Sequence, residues 1–497
     1  MGRVLTVGII GGGVSGLSAG TLLVRRGMRV KLFEANDKLG GCCGTTRTGG
    51  YIFDDGAVYL GFPAVLDRVF GRLGLDRPSV LPLKKAGGHR SVLPDGTTVS
   101  LAHGFRIHVG KGTEAADGKE LRKEVTEARK KWEPVLRLFE DEIFTHPFSL
   151  PRMIPKLLPH LHKLRGTVGS EITKLFSSEA VRAAMAGALL ITGTSTRETP
   201  VALILGLVSL LSEGFYLPEG GMGRIPETLG QAFRDEGGEV FLGSRVQRIL
   251  VKDGRVCGVE IDGQGRVDVD AVISTASGMA TVGLLPDPVP DEMRRKAENA
   301  PLSHCALSIQ LGLSNVVHKC SQSNSIVQSI ESEARNPGPG TDGAGSILYL
   351  VPTLTAPELA RPGGSIIEMF LTAGEGATAD EWDDERTEGM VESAIEALES
   401  QHRLDIAEKR VLAPRDFRDR LNLYKGALYG LSPAAPGAQF PHATPIPGLY
   451  QAGQTTYPGF GVPQAAMSGI FAADRLMEDE SFPRGVRAEG RARGRKA

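Results

Sequence analysis

The first turn of the chain restricts its fold more than any other segment. Residues 4–10 (VLTVGII) are an apolar run of strand length that breaks into Gly11-Gly12-Gly13-Val14-Ser15-Gly16, with Gly20 one helical turn on. Residues 14–26 carry the apolar period of a helix, closed by Gly27, and residues 29–34 (RVKLFE) return to a strand. This order predicts a βαβ unit opening an α/β domain. Gly11 permits the tight turn, Gly13 lets a pyrophosphate approach the backbone, and Gly16 lets helix and strand pack closely. The helix N-terminus offers N–H groups and partial positive charge to the phosphates. Glu34, eighteen residues after Gly16, ends the second strand, where a carboxylate can accept hydrogen bonds from an adenosine ribose. The glycine spacing alone is weak; its place between strand and helix makes it a dinucleotide site.

A second feature separates flavin from nicotinamide. Glu34 is followed by five residues and then Gly40-Gly41, a pair that lets the chain pass the pyrophosphate again. It resembles the motif of the large FAD superfamily that includes amine oxidases and carotenoid desaturases. An Arg often follows that pair; here Cys42 and Cys43 do, and Cys42 is expected to be a small packed residue. Near the C-terminus, residues 450–463 (YQAGQTTYPGFGVP) read as a strand, a glycine-proline loop and the start of a helix at Gln464. N–H groups at that helix start can stabilise negative charge on the flavin N1/O2 edge. The expected cofactor is FAD. Its expected contacts are Gly11, Gly13, Gly16, Glu34, Gly40, Gly41, Val246 at the start of the strand 246–252, Gly453, Gly461 and Val462. There is no second strand–GxGxxG–helix unit, so the flavin is expected to meet oxygen, a quinone or another acceptor directly.

The formal net charge of −1 gives no global pull toward nucleic acid. Five cysteines without a CxxC pair argue against a disulfide framework or zinc site and fit a reducing, cytoplasmic compartment. The close pair His160 and His162 is expected to be solvated or packed. No signal peptide is expected, because residues 4–10 run straight into the glycine turn. The longest strongly apolar run, Val201–Leu211, has eleven residues, whereas a membrane span needs about 20. Two stretches mix apolar and basic residues or are simply basic: 147–165 (PFSLPRMIPKLLPHLHKLR) and the tail Arg484–Lys496. Both are candidates for peripheral contact with an anionic bilayer.

Along the chain, a helix is expected over Lys119–Glu133, stopped before Pro134, and apolar helices over 171–212. Asp253-Gly254 and Asp262-Gly263 predict hairpins among strands at 246–252, 255–261 and 266–274. Strands of a second sheet are expected at 301–313 and 345–371, a loop at Asn336–Gly345, an acidic helix over 380–401 and a closing helix over 464–476. The fold class is therefore α/β: a Rossmann-like FAD-binding domain, of the glutathione-reductase type, interleaved with an α+β substrate domain. The expected division is 1–104, 214–300 and 411–497 for the cofactor domain, and 105–213 and 301–410 for the substrate domain.

Four stretches resemble carotenoid (phytoene) desaturase-type flavoproteins: Gly11–Gly56 with its Phe53-Asp54-x-Gly56; 215–238 (FYLPEGGMGRIPETLGQAFRDEGG); 416–426 (DFRDRLNLYKG); and the loop Tyr450–Gly469. The resemblance implies a membrane-associated enzyme with a hydrophobic tunnel that removes hydride from a polyisoprenoid- or carotenoid-like substrate. It also implies an acid–base Arg-Asp pair after a Pro-Phe segment; in Pro147–Met153, Arg152 takes the Arg position and Met153 stands where the Asp would be. Arg152 and Tyr424 are the candidate catalytic residues. Three readings stay open: a desaturase; a flavin-dependent amine oxidase or a double-bond isomerase or saturase; and a non-catalytic escort of prenylated partners that has lost flavin. The intact glycines and Glu34 argue against the last.

Overall fold

The computed structural model describes residues 4–111, 114–115, 118–194, 196–327, 346–372 and 378–479. The loop expected at Asn336–Gly345 and the basic tail lie outside them. The apolar run becomes strand β1 (Thr6–Ile10), followed by helix α1 (Val14–Arg25) and strand β2 (Arg29–Phe33). Helix α2 (Arg224–Asp235), strands β3 (Glu239–Phe241), β4 (Ala271–Ser274) and β5 (Leu449–Gln451), and helix α3 (Val462–Glu478) complete the layer around them. The five strands pair in parallel in the order β3-β2-β1-β4-β5. Successive side chains alternate between the two faces of this sheet. Val7, Ile9, Leu32 and Ile273 pack with the helices, whereas Ile10, Phe33 and Val272 pack with Val246, Ile249 and Val259. Those last three belong to the antiparallel meander Val246–Lys252, Arg255–Ile261 and Gly265–Asp268, whose turns are the two expected hairpins. The single strand expected over 266–274 is split between meander and parallel sheet.

Among the described residues, a second sheet has nine strands in the order 406–412, 306–313, 365–372, 347–350, 323–326, 89–92, 97–102, 106–111 and 114–115. This corrects the expected boundary at residue 104. His89–Val92 and Thr97–Ala102 hydrogen-bond into the substrate sheet, with His89–Val92 parallel to Ser323–Ile326. Helix Asp384–Glu399 covers one face, setting Val391, Ala394 and Leu398 against Leu307, Ile309, Leu311 and Met369. Each fully buried leucine, isoleucine or methionine among them stabilises the fold by about 1.5–3 kcal/mol. Helix Lys119–Leu138 also departs from expectation, because it runs through Pro134. Its buried stripe Ala128, Trp132, Val135 and Leu136 continues past the proline, so packing outweighs the lost backbone bond.

The hairpin Thr45–Thr48 and Tyr51–Asp54 plugs the cofactor region into the other face of the large sheet. The Tyr51 hydroxyl donates to the Leu313 carbonyl at 2.9 Å, and the Asp54 N–H donates to Glu368 Oε1 at 2.9 Å. Beside them Asp55 pairs with Lys38 at 2.8 Å and Arg410 at 3.0 Å. Burial opposes the Asp55 charge, but the hydrogen bonds from Lys38 and Thr46 outweigh it and hold the carboxyl below its usual range. Asp54 and Glu368 behave oppositely. Both are buried, and each keeps one carboxylate oxygen without a partner. Burial, then the neighbouring Glu368 charge, pushes Asp54 well above the usual range; burial pushes Glu368 up to about 8. A carboxyl raised on folding favours the folded state while protonated, so its contribution is full below the unfolded value and falls as pH rises toward the folded one. Glu368→Gln keeps an acceptor for the Asp54 N–H but cannot ionise. The thermal midpoint of this variant should gain on the natural protein as pH rises from 4.5 to 8, reaching about 2 °C at the upper end. A gap that stays constant across that range would contradict the account.

Candidate functional site

The turn after β1 is held open by its own backbone. Gly11 has φ +101°, and a Cβ there would meet Thr275 Oγ1 at 2.5 Å. A Cβ on Gly16 would strike the Gly11 carbonyl oxygen, so helix and turn touch through main chain alone. Gly13 differs: where its Cβ would stand, the nearest atom is the Gly40 carbonyl oxygen at 4.0 Å. That open space lies beside the N-terminus of α1, whose first N–H groups lack intrahelical acceptors. Gly13 and Gly40 form an isolated parallel bridge, and the Gly40 N–H donates to the Gly12 carbonyl at 2.9 Å. The two glycine motifs thus make one cradle of bare backbone, shaped for a pyrophosphate.

Glu34 closes the cradle from the side. It is buried; its Oε2 accepts the Gly12 N–H at 2.7 Å and its Oε1 the Asn36 N–H at 2.9 Å. Each oxygen keeps a further lone-pair direction for a ligand hydroxyl. Val246 is brought to the same end of the sheet by two backbone bonds, Ser244 N–H to the Glu34 carbonyl and Gly243 N–H to the Asn36 carbonyl, both at 2.8 Å. On the far side of α1, β5 leads to Gly453, whose N–H donates to Ser468 Oγ at 3.0 Å. Gly461 then turns the chain with φ +101° into α3, two residues earlier than expected because Pro463 suits the first turn. Helix α3 packs so closely on α1 that a Cβ at Gly469 would strike the Ser15 carbonyl oxygen. The loop ahead of α3 is thereby held near the phosphate turn, with the N–H groups of Val462 and Gln464 lacking intrahelical acceptors.

A group of apolar and aromatic side chains adjoins this loop. Cys42, Tyr59, Ile191, Tyr429 and Phe460 all keep accessible surface. Burial nevertheless pushes the Cys42 thiol up to about 12 and both tyrosines well above the usual range. Tyr429 and Phe460 pack with ring centroids 4.7 Å apart, and Tyr59 and Phe215 at 4.0 Å. Cys42 is a protonated packing residue here, as expected. Phe370, Leu412 and Leu428 continue the apolar lining from the substrate sheet and the loop after it.

Arg152 and Tyr424 lie apart in role. Arg152 sits on the helix Leu150–Leu157, where Glu142 accepts its Nη2 at 3.0 Å and also binds Lys156. Tyr424 packs with Met279, Leu431 and Phe440. Nothing in the sequence pattern signalled Tyr59, Ile191 or Tyr429, which come together only through the fold.

The flavin containing amine oxidoreductase family matches residues 14–477 of this chain. Among curated proteins, the zeta-carotene-forming phytoene desaturase of Myxococcus xanthus is 25% identical over 94% of this chain and 93% of its own. The lycopene-forming phytoene desaturase of Pseudescherichia vulneris is 26% identical over 95% and 99%. Among solved structures, an oxidoreductase from Methanosarcina mazei aligns with a TM-score of 0.65 at 17% identity over 95% of this chain and all of that one. A putrescine oxidase with bound putrescine aligns with a TM-score of 0.60 at 14% identity over 96% of this chain and 100% of that one. At these identities the solved structures establish the fold alone.

Gly13→Val tests the cradle. The space around Gly13 should admit the side chain without unfolding, yet the side chain would fill the cradle. The variant should keep its far-ultraviolet circular dichroism and lose flavin absorbance by about 10-fold or more. Full flavin content in the variant would rule this cradle out as the cofactor site.

Proposed function

The chain belongs to the flavin-containing amine oxidoreductase family and is an FAD-dependent oxidoreductase; from this, we propose that it removes hydride from a long apolar, polyisoprenoid- or carotenoid-like substrate. The partly accessible group of Cys42, Tyr59, Ile191, Tyr429 and Phe460 carries this reading, because its apolar and aromatic character suits a substrate with few polar groups to satisfy. The curated relatives named as phytoene desaturases support it.

Bound FAD supplies the hydride acceptor. In this reading Gly11, Gly13, Gly16, Gly40 and Gly41 receive its pyrophosphate, Glu34 its ribose, and Val246 lies at its adenosine end. Gly453, Gly461 and Val462 hold the flavin end, where the start of α3 stabilises negative charge at the N1/O2 edge. The surrounding rings exclude water. Arg152 serves elsewhere, because a guanidinium stays protonated and takes up no proton at neutral pH. Tyr424 serves as packing. Oxygen or a quinone is the proposed electron acceptor.

We also assign a docking face to the segment 148–161. Leu150, Ile154, Leu158 and Leu161 recur at helical spacing and are 55%, 53%, 63% and 42% exposed, with Phe148 at 56%. Arg152, Lys156, Lys163 and Arg165 flank them. An exposed apolar stripe rimmed by basic residues suits the surface of an anionic bilayer, from which an apolar substrate would be taken. Phe148 meets Tyr457 of the closing loop at 5.5 Å, so this face borders the flavin end. No helix among the described residues is long and apolar enough to cross a membrane.

Two outcomes are expected. Without oxygen, the flavin band at about 450 nm should bleach on adding an acyclic polyene in detergent; bleaching by amines alone would favour an oxidase instead. A doubly substituted Ile154→Asp, Leu158→Asp protein should sediment with vesicles rich in anionic phospholipid about 10-fold less than the natural protein, with an unchanged flavin spectrum. Equal sedimentation would remove the docking face.

A further inference from the structure

The segment 416–426 takes no part in the cofactor contacts assigned above, yet it borders a cleft of about 260 Å³ that opens beside the glycine cradle. On one wall are Asn36, Lys38 and Gly41, from the chain that runs from Glu34 through the glycine pair; on the other are Arg410, Phe417 and Arg420. Gly41 belongs to cleft and cradle alike. A Cβ there would meet the Gly13 Cα at 3.6 Å, and its main chain is also a wall of the cleft. Sites that take a whole small ligand usually measure about 300–1,000 Å³, so this cleft is sized for one part of a ligand whose remainder lies in the cradle.

The second wall is fixed at both ends. Helix Pro414–Asp419 buries Phe417 in the cluster that holds Leu412, Leu423 and Cys42. Past the helix, the Leu423 N–H donates to the Phe417 carbonyl at 3.0 Å, and Asn422 turns the chain with φ +57°, a left-handed conformation that asparagine tolerates better than most residues. The Asn422 Oδ1 accepts Arg245 Nη1 at 2.7 Å. Arg245 follows Ser244, whose N–H donates to the Glu34 carbonyl, and precedes Val246. The loop that carries Arg420 is thereby tied to the strand tip that carries Glu34.

Most charges of the cleft are already engaged. Asp55 is shared by Lys38 and Arg410. Asp416 accepts the Ala413 N–H at 2.8 Å, and Asp419 pairs with Arg418 at 2.6 Å. Asp37 and Arg420 remain; both are exposed, and neither has an ion pair among the described residues. The bare N–H groups of the adjoining cradle select an anion. Of the two uncommitted groups only Arg420 can bind one, and the fork of its guanidinium matches phosphate oxygens two at a time.

We propose that Arg420 is a further cofactor-binding residue, which closes the cleft over the cradle and hydrogen-bonds the diphosphate of FAD through its guanidinium. This rests on the reading of the cradle as the FAD site and adds to it the one side-chain cation that faces the phosphates. The test uses the FAD-loaded protein and follows the release of FAD after dilution, read as the recovery of free flavin fluorescence. Arg420→Gln should speed release about 10-fold. Arg420→Lys, which keeps the charge but not the fork, should release FAD at an intermediate rate. Raising sodium chloride from about 0.05 to 0.5 M should speed release from the natural protein several-fold and from Arg420→Gln much less. Arg415, exposed and paired with Asp384, lies outside the cleft, so Arg415→Gln should release FAD at the natural rate. Circular dichroism checks that each variant is folded. Unchanged release from Arg420→Gln, equal acceleration by Arg415→Gln, or one salt response shared by the natural protein and Arg420→Gln overturns the assignment and leaves the cradle standing. Faster release that Arg420→Lys does not slow overturns it too, because it marks stacking on the adenine in place of pairing with phosphate. If the natural protein holds no FAD and takes up none on incubation, the cradle reading falls and this one with it.

Discussion

Two stretches of main chain, Gly11–Gly16 and Gly40–Gly41, meet with no side chain between them, and the rest of the site is arranged around that meeting. The Gly40 N–H reaches the Gly12 carbonyl, and the Gly12 N–H reaches the Glu34 carboxylate. Glu34 can stand there because β2 pairs with β1 in register from Thr6–Arg29 to Ile10–Phe33, which brings its strand tip beside the turn. A Cβ at Gly16 would push helix and turn apart, and one at Gly11 would strike Thr275 beyond β4. The steric economy that lets the turn close also leaves bare N–H groups at the start of α1, and anion binding follows from that geometry.

The same region is coupled to the substrate sheet by buried polar contacts. The chain leaves the glycine pair, forms the hairpin 45–54 and enters the large sheet at Asp54 and Glu368, with Gln310 and Arg410 completing the junction. The glycine cradle and the large sheet are therefore positioned by one continuous set of contacts. Placing a raised pair, Asp54 and Glu368, next to the charged trio Lys38, Asp55 and Arg410 keeps the neutral carboxyls inside and the ionised one toward the rim.

The sequence made the cofactor half legible because its constraints are local. A period-2 apolar run, a 3.6-period helix and glycines forced by close approach each leave a mark within a few residues. The hairpins at Asp253-Gly254 and Asp262-Gly263 were readable for the same reason. The domain boundary was not. His89–Val92 and Thr97–Ala102 look like any short strands, and only their nonlocal pairing with Ser323–Ile326 assigns them to the substrate sheet. Pro134 misled for a related reason, since the burial of Trp132 and Leu136 that carries the helix through it depends on distant partners. The proposed cofactor contacts Glu34 and the glycines fall in two short motifs, whereas Tyr59, Ile191 and Tyr429 come from three separate segments and share no motif. The mixed apolar and basic character of 147–165 was visible; that its leucines stay uncovered was not.

The central claim is that one FAD lies along this backbone cradle. Unfolding the purified protein and identifying the released chromophore by mass and absorbance tests it most directly. The account predicts about one FAD per chain, or full recovery of that ratio after incubating the folded apoprotein with FAD. A folded protein that stays colourless in excess FAD, or one that releases a nicotinamide dinucleotide instead, would contradict it.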